Sequence, residues 1–186
     1  MNNIIKILYD EIKNLKYNFI RYYPDGYFGC ILRKNYWTKR LRNSGNNIQF
    51  RQGSGIGYPN LVDIGNNFIL GNSSLITANS SHGIFIGNNV SIARNVTIHS
   101  ANHSYDNLYK PIMEQEIIAP KIEFNNKFYS VIIEDDVWIG SNTTILPGTR
   151  IEKGCVISSG SVVKGDFSEY TVIMGNPARV IKSRKN

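Results

Sequence analysis

The side chains best suited to acid–base chemistry in this 186-residue chain are its three histidines, His82, His99 and His103. Histidine exchanges a proton near neutral pH, so it suits a base that takes the proton from an attacking hydroxyl. The gaps between them are 17 and 4 residues, and no histidine follows His103. Cys30 and Cys155 make neither a disulfide framework nor a CxxC pair, and no embedded acidic pair offers a second catalytic group. The last segment, GNPARVIKSRKN, gathers Arg179, Lys182, Arg184 and Lys185 and accounts for much of the net charge of +7. Guanidinium and ammonium groups of this kind bind phosphate well.

These residues must be positioned by a folded body, and the composition supplies one. With 41% hydrophobic and 19% charged residues the chain is an ordinary globular protein of single-domain size. Its positive excess suggests an anionic partner: nucleic acid, a membrane surface or a phosphorylated cofactor. No Lys/Arg-rich arm and no RNA-binding signature occurs, which argues against nucleic acid. The opening MNNIIKILYDEIKNLKYNF is broken by charge every few residues, so it is neither a signal peptide nor a membrane span. The chain reads as cytoplasmic.

A repeat of six residues dominates the rest. Ile133, Ile139, Ile145, Ile151, Ile157 and Val163 recur at that interval, and the fifth place of each hexad holds Val137, Thr143, Thr149, Cys155, Ser161 and Phe167. The same grammar runs from residue 64 and again from residue 86, the two stretches out of step by four residues around 79–85. A period of six is not helical; it suits a chain that makes a short flat run and then turns a corner. Three hexads make one triangular coil with the aliphatic residue inside and a small fifth residue beside it. Cys155 is therefore a core residue. Glycine and asparagine fall at the corners, where left-handed backbone is needed. His103 ends the last regular hexad, faces outward and opens an insertion over 103–130, which in a repeat protein builds a binding face.

With VWIGSNTTILPGTRIEKGCVISSGSVV followed by IMGNPARVIK, the chain resembles the hexapeptide-repeat acyltransferase family over about 48–182. It is most similar to sugar O-acetyltransferases of the galactoside, maltose and nodulation type and to related polysaccharide and lipopolysaccharide enzymes. The resemblance implies an all-β fold, a left-handed parallel β-helix that departs from the right-handed crossover rule. It further implies a homotrimer that holds acetyl-CoA between subunits and uses no metal. His103 matches the catalytic base. Trp138 matches a tryptophan beside the reacting groups, and His99, Asn102 and Tyr105, with Asp106 and Asn107, fall where an acceptor would be contacted. Gly140, Ser141, Ser159 and Gly160 match the pantetheine channel, Lys164 a position nearer the nucleotide, and Arg179 and Lys182 positions by its phosphates.

The expected activity is acetyl transfer from acetyl-CoA to a saccharide hydroxyl, of a capsule or lipopolysaccharide sugar. The alternatives are an N-acetyltransferase of amino-sugar nucleotides, a xenobiotic acetyltransferase and a non-catalytic scaffold. Relatives of the N-acetylating kind often carry an N-terminal Rossmann-like domain, for which residues 1–47 are too short. Carbonic anhydrases of the gamma class share the fold and bind zinc by three histidines, but at wider separations than these.

Ahead of the coil, residues 1–47 read as a helical, aromatic and basic extension. Ile4, Ile5, Leu8, Ile12, Leu15 and Phe19 share one helical face. That face is expected to cap the open end of the coil, with a membrane-surface role as the lesser alternative. The aromatic and basic residues of 22–42 either pack on this helix or bind sugar or diphosphate. Residues 183–186 read as a solvated basic tail.

Overall fold

The computed structural model describes residues 3–79 and 82–185; Ser80 and Ser81, within the out-of-step segment, lie outside the described residues, as do Met1, Asn2 and Asn186. Two helices, α1 (Asn3–Tyr22) and α2 (Tyr27–Thr38), precede a parallel β-solenoid.

The solenoid is three ladders of short strands joined at three corners. The first stacks Asn43–Ser44, Val62–Ile64, Ile84–Ile86, Val131–Ile133, then residues 149–151 and 165–167. The second runs through Ile48–Phe50, Phe68–Leu70, Ser91–Ile92, Trp138–Ile139, Val156–Ile157 and Thr171–Gly175. The third runs through Gly55–Gly57, Leu75–Thr77, Thr97–His99, then residues 144–145 and 162–163. The repeat explains this arrangement. Ile133, Ile139, Ile145, Ile151, Ile157 and Val163 are all buried, and so are the fifth-place residues from Val137 to Phe167. Cys155 lies inside as expected, its sulfur 3.2 Å from the Ser168 carbonyl oxygen.

The corners are columns of left-handed residues. Asn47, Asn67, Asn89 and Asp136 all have φ between 54° and 58°. Their side chains bond upward: Asn47 Nδ2 donates to Asn67 Oδ1 at 3.0 Å and Asn67 Nδ2 to Asn89 Oδ1 at 2.8 Å. Asparagine tolerates this conformation and its amide both gives and accepts, so the corner also acts as a ladder.

The helices depart from expectation. It is α2 that covers the open end, placing Trp37 in the core against Phe50 at 6.3 Å between ring centroids. Within the aromatic and basic segment Arg33, Tyr36 and Trp37 pack, while Tyr22, Tyr27 and Phe28 stay exposed. Arg33 is fully buried; its Nε donates to the Phe50 carbonyl at 2.8 Å and its guanidinium pairs with Asp25. Asp25 in turn accepts from Asn72 Nδ2 at 2.8 Å and the Gln52 amide at 2.9 Å. The apolar stripe of α1 does not cap anything. Its residues are exposed, because the helix docks instead by the opposite face, through Tyr17, Ile20 and Arg21.

The C-terminal residues are also more than a solvated tail. Ala178–Ser183 turns back antiparallel on Thr171–Gly175. Arg184 reaches the Gly154 carbonyl and lies 3.9 Å from Asp136, and Lys185 pairs with Glu169. The turn delivers these cations to carboxylates on the preceding coils, which no local pattern reveals.

Candidate active site

The insertion is two hairpins in succession. In the first, Asn102–His103 pairs antiparallel with Ile117–Ile118, setting His103 opposite Ile117. Its tip is closed by Asn107 and Gln115: the Asn107 amide donates to Gln115 Oε1 at 3.1 Å and Gln115 Nε2 returns to the Asn107 carbonyl at 2.9 Å. Asn107 therefore shapes the loop. In the second, Ile122–Phe124 pairs with Lys127–Tyr129 about Asn125 and Asn126, both at positive φ. A two-residue turn of this hand matches the twist of the strands it joins.

The second hairpin is fastened to the solenoid. Tyr129 donates its hydroxyl to Asp63 Oδ2 at 2.7 Å, where Arg42 and Asn43 also donate. Phe124 and Tyr129 pack on Phe85 at 4.9 and 5.4 Å between centroids. Burial alone would raise the Asp63 pKa. Hydrogen bonds from Arg42, Tyr129 and Asn43 outweigh it and hold the carboxyl below its ordinary range. Burial, and then the hydrogen bond to Asp63, push the Tyr129 hydroxyl up to about 12. Neither Asp63 nor Tyr129 stood out in the sequence; their pairing spans 66 positions.

Between the first hairpin and the third ladder lies a cavity of about 140 Å³, lined by Asn102, His103, Tyr105, Asp106, Pro147 and Lys164 together with Ser104, Ile118 and Pro120. Of the residues expected to contact the acceptor, Asn102, Tyr105 and Asp106 share it with His103, the expected base. Lys164, expected nearer the nucleotide, lines the same cavity because its strand stacks on the third ladder. Ser104, Ile118, Pro120 and Pro147 were not expected; they enter because the insertion folds back over the coil. His99 is half-buried on that ladder directly above Thr77. The position one coil below His99 thus belongs to Thr77 rather than His82. The extra residues of the out-of-step segment carry His82 past the corner to Phe128, 6.4 Å away between ring centroids.

Gly140, Ser141, Ser159 and Gly160 form one corner on adjacent coils. Gly140 N donates to the Ile157 carbonyl and Gly160 N to the Ser141 carbonyl, both at 2.8 Å. A Cβ on Gly140 would stand 2.6 Å from Ser159 N, so the coils approach there only because a side chain is missing. Trp138 lies elsewhere, 55% exposed on the second ladder between Ser91 and Val156, and does not line the cavity. Arg179 and Lys182 are exposed on the C-terminal strand, opposite Met174 and Val172. Among the described residues no group of three or more His, Cys, Asp or Glu could hold a metal ion.

Residues 130–165, the coils beside this cavity, match the family described as bacterial transferase hexapeptide, six repeats. The coils it matches are hexapeptide repeats. Among relatives of this chain, a galactoside O-acetyltransferase of Lactococcus lactis is 36% identical over 97 residues, 52% of this chain and 42% of that one. A solved maltose O-acetyltransferase of Clostridium difficile superposes with a TM-score of 0.68 at 26% identity, covering 100% of this chain and 90% of that one. A hexapeptide-repeat acetyltransferase of Vibrio cholerae, solved with acetyl coenzyme A, shares the fold with a TM-score of 0.76 at 24% identity, over 100% and 91% of the two chains. The chain spans about half the length of the curated relatives it matches first, between 41 and 57%.

Proposed function

We propose that this chain is an acetyltransferase that moves the acetyl group of acetyl-CoA to a hydroxyl of a saccharide, with His103 as the general base. The observation that carries the reading is the cavity in which His103 meets Asn102, Tyr105, Asp106 and Lys164. It offers one imidazole among hydrogen-bonding groups, as a polyhydroxyl acceptor requires. The names of the O-acetylating relatives support the acceptor class, and the Vibrio cholerae structure solved with acetyl coenzyme A supports the donor.

In the proposed step His103 takes the acceptor's hydroxyl proton as its oxygen attacks the thioester carbonyl. The oxyanion then collapses, the carbon–sulfur bond breaks, and the proton held by the imidazole goes to the departing thiolate. The small corner at Gly140, Ser141, Ser159 and Gly160 leaves room for pantetheine to lie along the backbone. Arg179 and Lys182 receive the phosphates. We infer that the working unit is a homotrimer. Trp138 and the His103 cavity occupy different ladders of one chain, which favours a second copy as the source of a tryptophan beside the reacting groups.

The test is turnover of acetyl-CoA against a panel of saccharides, with mass spectrometry of the products. A base-labile acetyl ester is expected. Formation of base-stable amides alone on amino sugars, or no thiol release with any saccharide, would overturn the reading.

A further inference from the structure

The apolar stripe of α1 is displayed to solvent. Ile4, Ile5, Leu8, Ile12, Leu15 and Phe19 are 54–70% exposed, and every side chain from Ile4 to Lys16 is exposed. The last turns anchor the helix: Tyr17 packs edge-on against Trp37, and Arg21 Nε donates to the Gly53 carbonyl at 2.8 Å. The first turns project. A continuous exposed apolar stripe marks a surface that meets something apolar. Tyr22, Tyr27 and Phe28 extend the exposed apolar surface of the two helices.

Charge selects what it meets. Residues 3–42 hold nine Lys and Arg against three Asp and Glu, which is six of the chain's seven net positive charges. The two helices themselves carry six Lys and Arg against two Asp and Glu, and Lys39, Arg40 and Arg42 follow directly on α2, whereas the four C-terminal cations are largely offset by acidic residues elsewhere in the solenoid. A second copy of this surface would set two strongly cationic units against each other. An anionic bilayer answers both features, taking the apolar stripe into the interface and the lysines onto its headgroups.

We propose that α1 lies on the surface of an anionic lipid bilayer with its apolar stripe buried, and so holds the solenoid at the membrane. It lies in the interface and does not span: no described helix is long and apolar enough to cross. At 100° per residue, Lys16 borders one edge of the stripe, where its chain can reach the headgroup layer, and Glu11 the other, with Lys13 and Lys6 further round on the polar side.

The test is co-sedimentation of the full chain with vesicles of equal parts phosphatidylcholine and phosphatidylglycerol, and with phosphatidylcholine alone. Binding to the anionic vesicles that weakens with added salt is expected. The double variant Leu8→Glu, Leu15→Glu changes exposed positions and should weaken binding by about tenfold or more. Lys13→Glu with Lys16→Glu provides a second, charge-only variant, expected to weaken it by about tenfold or more. Absence of binding, equal binding to neutral vesicles, or equal binding by both variants overturns the proposal. A fall in oligomeric mass of the Leu8→Glu, Leu15→Glu protein also overturns it, by making the stripe a contact between copies.

Discussion

The hydroxyl of Tyr129, at the end of the second inserted hairpin, donates to the carboxylate of Asp63 two coils below, at 2.7 Å. This bond ties the insertion that carries His103 to the first ladder. Arg42 and Asn43 complete the cluster, at 2.7 and 2.6 Å from the same carboxylate. Tyr129→Phe should therefore lower stability by about 1–3 kcal/mol, the usual cost of leaving a buried polar group short of a partner. Chemical denaturation measures this, and an unchanged midpoint would show the bond to be incidental.

The same cluster sets a pH dependence. Asp63 is held below its ordinary value of 3.8, so its stabilisation is present above that value and is lost as pH falls through the lowered one. Tyr129 is raised from 10.0 to about 12, so its contribution is complete below pH 10 and lost as pH climbs toward 12. Melting temperature followed across pH should fall at both extremes. Tyr129→Phe should soften the alkaline limb relative to the parent protein.

His103→Ala should lower kcat by about 10²–10⁴-fold, the usual contribution of a general base, with little change in the KM for acetyl-CoA. His99→Ala should cost much less, since His99 is half-buried on the third ladder and does not line the cavity. Steady-state kinetics on whichever saccharide is turned over decides it. Near-normal turnover by His103→Ala beside a dead His99→Ala would reassign the base.

If Trp138 acts across a subunit boundary, two inactive variants should rescue each other. His103→Ala and Trp138→Ala, each impaired alone, should regain activity when co-expressed, because some boundaries then pair an intact His103 with an intact Trp138. Light scattering should give the mass of a trimer. A monomer with full activity would contradict the arrangement.

The phosphate contacts are best tested by single substitutions. Removing everything after Gly175 would strip the antiparallel strand Ala178–Ser183 and the buried Ala178 from the solenoid. Arg179→Ala or Lys182→Ala should instead raise the KM for acetyl-CoA about tenfold or more, as expected for a charge-assisted bond of about 1.5–3 kcal/mol. An unchanged KM in both would mean that the phosphates lie elsewhere.

The two corner glycines should behave differently. Gly140→Ala must push adjacent coils apart, since its Cβ would meet Ser159 N at 2.6 Å and the Ile157 carbonyl at 2.9 Å. A loss of about 1–3 kcal/mol is expected from such overpacking. Gly160 has open space but a φ of 74°, in the column that holds Asn95 and Asn142. Gly160→Asn should be nearly neutral, and thermal melts of the two variants make the comparison.

The sequence by itself determined the solenoid, because each hexad repeats one local choice: an aliphatic residue inward, a small one beside it, a left-handed corner. Ile133 through Val163, Cys155 and the corner asparagines all lie where that rule puts them. It also placed His103 at the mouth of the insertion, since that is where the period breaks. What depended on distant regions of the chain was decided only in three dimensions. The insertion folds as two hairpins, brings Pro147 and Lys164 to His103, and is fastened through Asp63 and Tyr129, partners with no sequence spacing in common. The amphipathic pattern of α1 foretold a helix, but a stripe states only that a face is apolar and not what it meets. Packing of Tyr17, Ile20 and Arg21 turned that face away from the coil and left it for a surface outside the chain.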